Sequence, residues 1–282
     1  MPQLVATFYK FVRLTDYAEK REPLLTYCLE QGLKGTILLA EEGINGTIAG
    51  DATAVHNLLA VLKTDSHLAD LEHKESITQS STFDRMKVKL KKEIVTLGMP
   101  EIDPSQGTGT YVKPQEWNAL LSDPDVTVID VRNAFEVSVG TFKRSFGASC
   151  SESHNPQTDS FRQFPEYVNQ LDPQQHPKVA MFCTGGIRCE KASALMLAQG
   201  FEQVYHLKGG ILSYLEAVPA EESLWQGECF VFDQRVAVTQ GMEDGIEDGS
   251  YAMCRACGHP LSPAEQTTEY QAGIACPYCA NS

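Results

Sequence analysis

The sequence predicts an α/β protein built in two parts, an α+β sandwich followed by a parallel α/β sheet, with a small cysteine-rich tail. Three observations carry this. Short apolar runs bounded by Gly, Asp and Pro alternate with stretches of helical periodicity. A segment rich in Gly, Pro, Ser and Thr at 101–110 (EIDPSQGTGT) interrupts that alternation. Four cysteines near the C-terminus form two CxxC pairs. A chain of 282 residues suits two domains of ordinary size, and its 42% apolar content can fill their cores.

In the first part, residues 5–12 are apolar and aromatic and read as a strand. Asp16 is placed to cap a helix to about 31, which Gly32 ends. Residues 35–40 (GTILLA) form a second strand, 41–46 a turn carrying Gly43, Asn45 and Gly46, and 47–49 a short third strand. Asp51 caps a second helix to about 62, and strands follow near 72–78 and 85–92. The βαββαβ order suggests a ferredoxin-like or acylphosphatase-like sandwich over 1–100, with 101–113 as linker. In the second part, over 114–219, a Pro-led helix at 114–121 precedes buried strands at 127–130, 178–182 and 203–207. Helices are expected at 161–171, from 188 to about 199 and at 211–217. Short apolar strands alternating with helices mean a parallel sheet covered on its faces. The extension 220–282 holds two short β-like runs around Asp233 and Gln234, an acidic stretch and the CxxC pairs.

Charge is distributed unevenly. Residues 1–113 carry 13 basic and 15 acidic side chains, a net of −2, and the remainder 10 basic and 22 acidic, a net of −12, giving −14 in all. Nucleic acid is therefore not a partner for the whole surface, only for the first part or a local basic stripe. No apolar run reaches the ~20 residues of a membrane helix. Met1-Pro2-Gln3-Leu4 shows no basic region followed by an apolar run, and the cytoplasm is the expected compartment. Nine cysteines, grouped rather than scattered, favour catalysis and metal binding over structural bridges.

The chemistry concentrates in Cys183-Thr184-Gly185-Gly186-Ile187-Arg188-Cys189. A cysteine directly after a buried strand lies at the carboxyl edge of the sheet, where open α/β folds place their sites. The glycines let backbone N–H groups turn toward the sulfur, the following helix presents its positive end, and Arg188 adds a formal charge. Each favours thiolate over thiol, so Cys183 is expected below the ~8.5 of free cysteine and able to carry an anionic persulfide. Cys189 is either a resolving thiol or a packed residue of the first helical turn.

These residues, with Val128-Ile129-Asp130-Val131-Arg132 and Leu207-Lys208-Gly209-Gly210, make 114–219 resemble a rhodanese domain. In that family the loop cysteine accepts sulfur as a persulfide. The resemblance implies that Asp130 and Arg132 support the loop from the neighbouring strand end. Related phosphatases use Cys-x5-Arg, and the shorter Cys-x4-Arg here suits a sulfur atom better than a phosphoryl group.

The resemblance extends further. Leu38 to Thr47 (LLAEEGINGT), Val88 to Gly98 (VKLKKEIVTLG), Phe161 to Tyr167 (FRQFPEY) and the CxxC tail occur in one order. Together they look like the bacterial rhodanese-containing tRNA uridine hydroxylases across nearly the whole chain. That implies tRNA as substrate, oxygen-dependent conversion of the wobble uridine to 5-hydroxyuridine with molecular oxygen as co-substrate, and a catalytic role for Cys183. A sulfur or electron donor protein fits such a reaction. The stretch Arg144 to His154, carrying Cys150 and His154, departs from the family's shorter join and reads either as an exposed loop or as a segment that approaches the site.

Arg85, Lys87, Lys89 and Lys91 alternate with Met86, Val88 and Leu90. On a strand this puts four cations on one face and three apolar side chains on the core face. Such a row can pair with RNA phosphates, or guard a sheet edge. Cys254, Cys257, Cys276 and Cys279 have the spacing of a structural, four-thiolate Zn²⁺ site. Two rival readings use the same loop: a sulfurtransferase acting on a small or protein acceptor, and a non-enzymatic RNA-binding or redox-sensing module.

Overall fold

A computed structural model of the chain describes residues 2–78, 83–146, 149–232 and 237–240, with 252–254, 260–261, 265 and 276. The chain divides into two compact units, Met1–Thr108 and Gly109–Ser282.

The first unit runs β1 (Gln3–Phe11), α1 (Tyr17–Glu30), β2 (Lys34–Ala40), β3 (Gly43–Gly50), α2 (Ala52–Lys63), β4 (His73–Thr78) and β5 (Met86–Leu90). The strands form one sheet in the order β4-β1-β3-β2-β5, with β5 parallel to β2 and the other pairs antiparallel. Alternate residues Leu4, Ala6 and Phe8 of β1 join Val55, Leu58, Leu59 and Leu62 of α2 and Leu24 and Cys28 of α1 in a single core. Asp51 caps α2 as expected, accepting from the Thr53 N–H at 2.9 Å. Asp16 does not cap α1; its carboxylate pairs with Lys20 at 2.7 Å.

The segment read as a turn over 41–46 contracts to Glu41-Glu42, because β3 already begins at Gly43. Gly46 pairs with Phe8 and Ile37 within that strand, and it is glycine because a Cβ there would stand 2.7 Å from the Phe8 ring. Leu90, expected on the core face, is 42% exposed. It is the last residue of an edge strand, whereas Met86 and Val88 are buried as the alternation requires.

The second unit runs β6 (Thr110–Val112), α3 (Pro114–Leu121), β7 (Thr127–Asp130), α4 (Ala134–Val137), β8 (Gly140–Phe146), β9 (Ser149–Glu152), α5 (Phe164–Val168), β10 (Lys178–Phe182), α6 (Ile187–Ala198), β11 (Gln203–Leu207) and α7 (Gly210–Ala217). Short strands β12 (Trp225–Gly227), β13 (Cys229–Phe230), β14 (Ala237–Val238), β15 (Ala252–Met253) and β16 (Pro260–Leu261) follow. The central sheet is parallel throughout, in the order β6-β11-β10-β7. Trp117 and Leu121 of α3, Ile211 and Tyr214 of α7, and Phe142 of β8 pack against Ala180 and Phe182 of β10. Phe142 meets Phe182, Tyr214 and Trp225 edge-on at 4.7–5.0 Å.

The helix expected over 161–171 is shorter: a 3₁₀ turn at Phe161–Gln163 leads into α5, where Pro165 sits in the first turn. The described residues of the stretch from Arg144 to His154 are not an exposed loop. β8 and β9 pair antiparallel, from Lys143↔Glu152 to Phe146↔Ser149. His154 then bridges to Ile129 beside β7, its N–H donating to the Val128 carbonyl at 2.8 Å. The buried Arg144 guanidinium ties the hairpin back to the carbonyls of Leu121, Asp123 and Val126.

Candidate active site

β10 ends at Phe182 and delivers Cys183 to the carboxyl edge of the parallel sheet, between β11 and β7. The chain turns through Thr184-Gly185-Gly186 and enters α6 at Ile187. Gly186 holds φ +99°, which other residues rarely adopt, and aims its N–H at the Cys183 sulfur, 3.2 Å away. Gly185 has open space where a Cβ would stand, so only the second glycine is demanded by the turn. The loop is clamped from behind by α7. The N–H groups of Ile211 and Leu212 donate to the carbonyls of Cys183 and Thr184 at 2.9 and 3.1 Å. A Cβ on Gly210 would stand 2.4 Å from the Thr184 carbonyl oxygen.

Cys183 is fully buried. Burial alone raises a thiol's pKa, but the Cys189 thiol, the Arg188 charge and the N–H groups of Cys189 and Gly186 outweigh it and hold Cys183 at about 6. Cys189, in the first turn of α6, moves the opposite way: burial and the neighbouring Cys183 sulfur push it well up. The two thiols therefore share one negative charge, carried by Cys183 with Cys189 as its S–H donor. Cys229 on β13 is a third buried thiol close enough to feel the Cys183 charge, and burial pushes it up to about 12. Of these three, only Cys183 is an anion near neutral pH.

Arg188 is engaged by a residue that the sequence reading missed. Glu136 of α4, 0% exposed, accepts from both terminal nitrogens of Arg188 at 2.6 and 2.7 Å. The same carboxylate accepts from the Asn133 N–H at 3.0 Å in a capping box and from the Thr184 hydroxyl at 3.3 Å. Burial opposes its ionisation, and Arg188 and Arg132 overcome that, holding its pKa below the usual carboxylate value. A signal was present: Asn-x-x-Glu directly after Arg132, together with a loop arginine whose burial needs an anion.

Asp130 and Arg132 form a second buried pair, with Arg132 donating to Asp130 at 2.6 and 2.9 Å and to the carbonyls of Glu136 and Gly140 at 3.1 and 2.6 Å. Arg132 thus fastens the end of β7 to α4 and β8, and places Glu136 under Arg188. Its guanidinium stacks over the rings of Trp225 and Phe182 at 5.1 and 5.9 Å. Thr184 is buried and Ile187 half-buried.

The basic stripe lies in the other unit. Lys89, Lys91 and Arg85 are exposed and Lys87 is half-buried, along the edge strand β5. The Arg21 Nε of α1 donates to the Val88 carbonyl on that strand at 3.1 Å. Of the four tail cysteines, Cys254 and Cys276 are buried with Leu261 in one small cluster, beside the β15–β16 hairpin. Cys257 and Cys279 lie outside the described residues.

The family models agree with this division of the chain. Residues 3–94 match the UPF0176 acylphosphatase like domain, and residues 113–217 match the rhodanese-like domain. The chain is 54% identical over 278 residues to the tRNA uridine(34) hydroxylase of Picosynechococcus sp., covering 98% of this chain and 89% of that one. The chain belongs to the tRNA uridine(34) hydroxylase family. A second member, the tRNA uridine(34) hydroxylase of Teredinibacter turnerae, is 55% identical over 98% of this chain and 83% of its own. In this member of the family the Cys183–Cys189 segment follows β10, a central strand of the parallel sheet. Among the described residues no helix is long and apolar enough to cross a membrane.

Proposed function

We propose that this protein is a tRNA-modifying enzyme of the cytoplasm that hydroxylates the uridine at position 34 of tRNA to 5-hydroxyuridine, with Cys183 as its reactive group. The observation that carries the reading is the 54–55% identity, over 98% of the chain, to proteins named for that activity. The acidic, buried Cys183 supports it, since a thiol that ionises at about pH 6 is the anion that nucleophilic or persulfide chemistry needs throughout the physiological range. Arg188 holds that charge, Glu136 and Thr184 hold Arg188 and the loop, and Gly186 supplies the amide. Asp130 and Arg132 brace the strand end. Cys189, kept neutral, is the thiol placed to resolve a persulfide on Cys183. Molecular oxygen is the expected co-substrate, with reducing equivalents or sulfur from a donor protein.

Arg85, Lys87, Lys89 and Lys91 are the cations proposed to meet tRNA phosphates. The tail is proposed to bind one structural Zn²⁺ through Cys254, Cys257, Cys276 and Cys279. The shared burial of Cys254 and Cys276 fits that donor set, and four thiolates leave no open position for chemistry. Metal analysis of the purified full chain should find one zinc, lost in the Cys254→Ser and Cys276→Ser variants.

The function is tested by mass spectrometry of tRNA nucleosides from a deletion strain carrying either the wild-type protein or Cys183→Ser. Wild type restores 5-hydroxyuridine derivatives and Cys183→Ser does not. Unchanged nucleosides in the deletion strain, with thiosulfate-to-cyanide sulfur transfer lost, would replace this reading with the sulfurtransferase.

A further inference from the structure

Cys183 is completely covered, so the sulfur itself offers no surface on which a planar substrate can rest. Against Arg188 of the same loop stands an exposed aromatic ring. Phe232 is 60% exposed, although it directly follows the buried Phe230 and Val231. The Arg188 guanidinium lies over its ring at 5.7 Å. The ring also meets Phe230 edge-on at 5.1 Å. Phe230 in turn packs edge-on against Phe135 at 5.3 Å, and its carbonyl accepts from the Thr184 hydroxyl at 3.4 Å. Phe232 is thus carried on the two supports of the reactive loop, the arginine that stabilises the thiolate and the strand that holds Thr184.

Single exposed apolar side chains are common and need no special reason. The position of this one supplies a reason. Arg188 already has both terminal nitrogens on Glu136, so it does not need the ring to satisfy its charge. What the arrangement leaves at the surface is a flat, apolar face with a cation beneath it. Uracil is uncharged and planar, and bases of single-stranded RNA are gripped by stacking on such rings. We propose that Phe232 is the platform on which the target uracil stacks, next to the Cys183 loop. This rests on the proposed reading of the protein as a tRNA uridine hydroxylase.

The test uses the full chain and two anticodon stem-loop RNAs, identical except that one has uridine and the other an abasic sugar at position 34. Stacking of one base on one aromatic ring corresponds to roughly fivefold to hundredfold in affinity. Wild type should prefer the uridine RNA. Phe232→Ala should bind it about tenfold or more weakly, while its affinity for the abasic RNA stays at the wild-type value. Phe232→Trp should retain the preference. An ultraviolet titration of the Cys183 thiolate in Phe232→Ala reports that the loop is intact. Equal losses for both RNAs, or no loss for either, would overturn the platform while wild-type hydroxylation still stood. A wild-type protein that binds neither RNA and leaves uridine unmodified would overturn the functional reading and the platform with it.

Discussion

Removing the carboxylate of Glu136 should separate the stability of the reactive loop from the acidity of its cysteine. Glu136→Gln keeps the shape of the side chain but leaves Arg188 charged and buried, with two strong hydrogen bonds weakened. Breaking one member of a buried ion pair costs about 3–5 kcal/mol. For a unit of this size each kcal/mol moves Tm by roughly 2–4 °C, so the transition of the second unit should fall by roughly 6–20 °C. The Cys183 titration should not rise, because the Arg188 charge that favours the thiolate remains and the opposing carboxylate is gone. Arg188→Met should do the reverse to the sulfur, moving its titration up from about 6, since it removes a named stabiliser of the anion. The double variant Glu136→Gln/Arg188→Met buries no unpaired charge. It should recover much of the lost stability and yet keep the raised cysteine titration. Thermal unfolding followed by circular dichroism, with thiolate absorbance measured against pH, reads both quantities on each variant. A drop of less than about 1 kcal/mol in Glu136→Gln, or a cysteine still titrating near 6 in Arg188→Met, would refute the reasoning.

The remaining predictions follow from the same geometry. Because Cys183 titrates below an ordinary thiol, the stabilisation from its thiolate is fully present above the ordinary ~8.5 and is lost as pH falls through about 6. The stability difference between wild type and Cys183→Ala should therefore shrink across that window, and a flat difference would contradict the assignment. Gly210→Ala should cost about 1–3 kcal/mol or more and raise the Cys183 titration, since the new Cβ strikes the backbone carbonyls of Thr184 and Cys183 that α7 clamps. Lys87→Gln and Lys89→Gln should each weaken tRNA binding at every sequence and lower the salt slope by about 1. An unchanged slope would reduce β5 to a guarded sheet edge.

The fold was legible where burial and period agreed. Residues 127–130, 178–182 and 203–207 are short segments centred on apolar side chains, and all three form strands of the parallel sheet because both of its faces are covered. The reading failed where a residue type had two uses. Gly43, Asn45 and Gly46 look like turn formers, yet they lie in β3, where Gly46 makes room for the Phe8 ring. Residues 144–154 carry Ser, Gly and His and read as a loop. They pair as a hairpin because β8 is held by partners far along the chain: Arg144 by the carbonyls after α3, and Phe142 by Trp225 of β12. Such partners leave no trace in a local window.

The same distinction explains what was visible of the site. Cys183, Gly186 and Arg188 lie within six residues, and the strand before them and helix after them are local features, so their convergence could be read directly. Glu136 lies 52 residues from Arg188, and its role could be reached only through a charge argument. A buried guanidinium needs acceptors, a carboxylate being the strongest, and Asp130 is consumed by Arg132. The next acidic residue after Asp130 is Glu136, at the third position of a capping box that keeps its carboxylate close to its own helix start. The box fixes the carboxylate, the carboxylate fixes Arg188, and Arg188 with the Gly186 amide fixes the charge on the sulfur. The acidity of Cys183 is therefore a property of three segments, 130–136, 183–189 and the α7 clamp at 210–212. A substitution in any of them that moves the Arg188 charge or the Gly186 amide away from the sulfur should raise the cysteine's titration without touching the cysteine, whereas one that only weakens the Glu136 pair should cost stability alone.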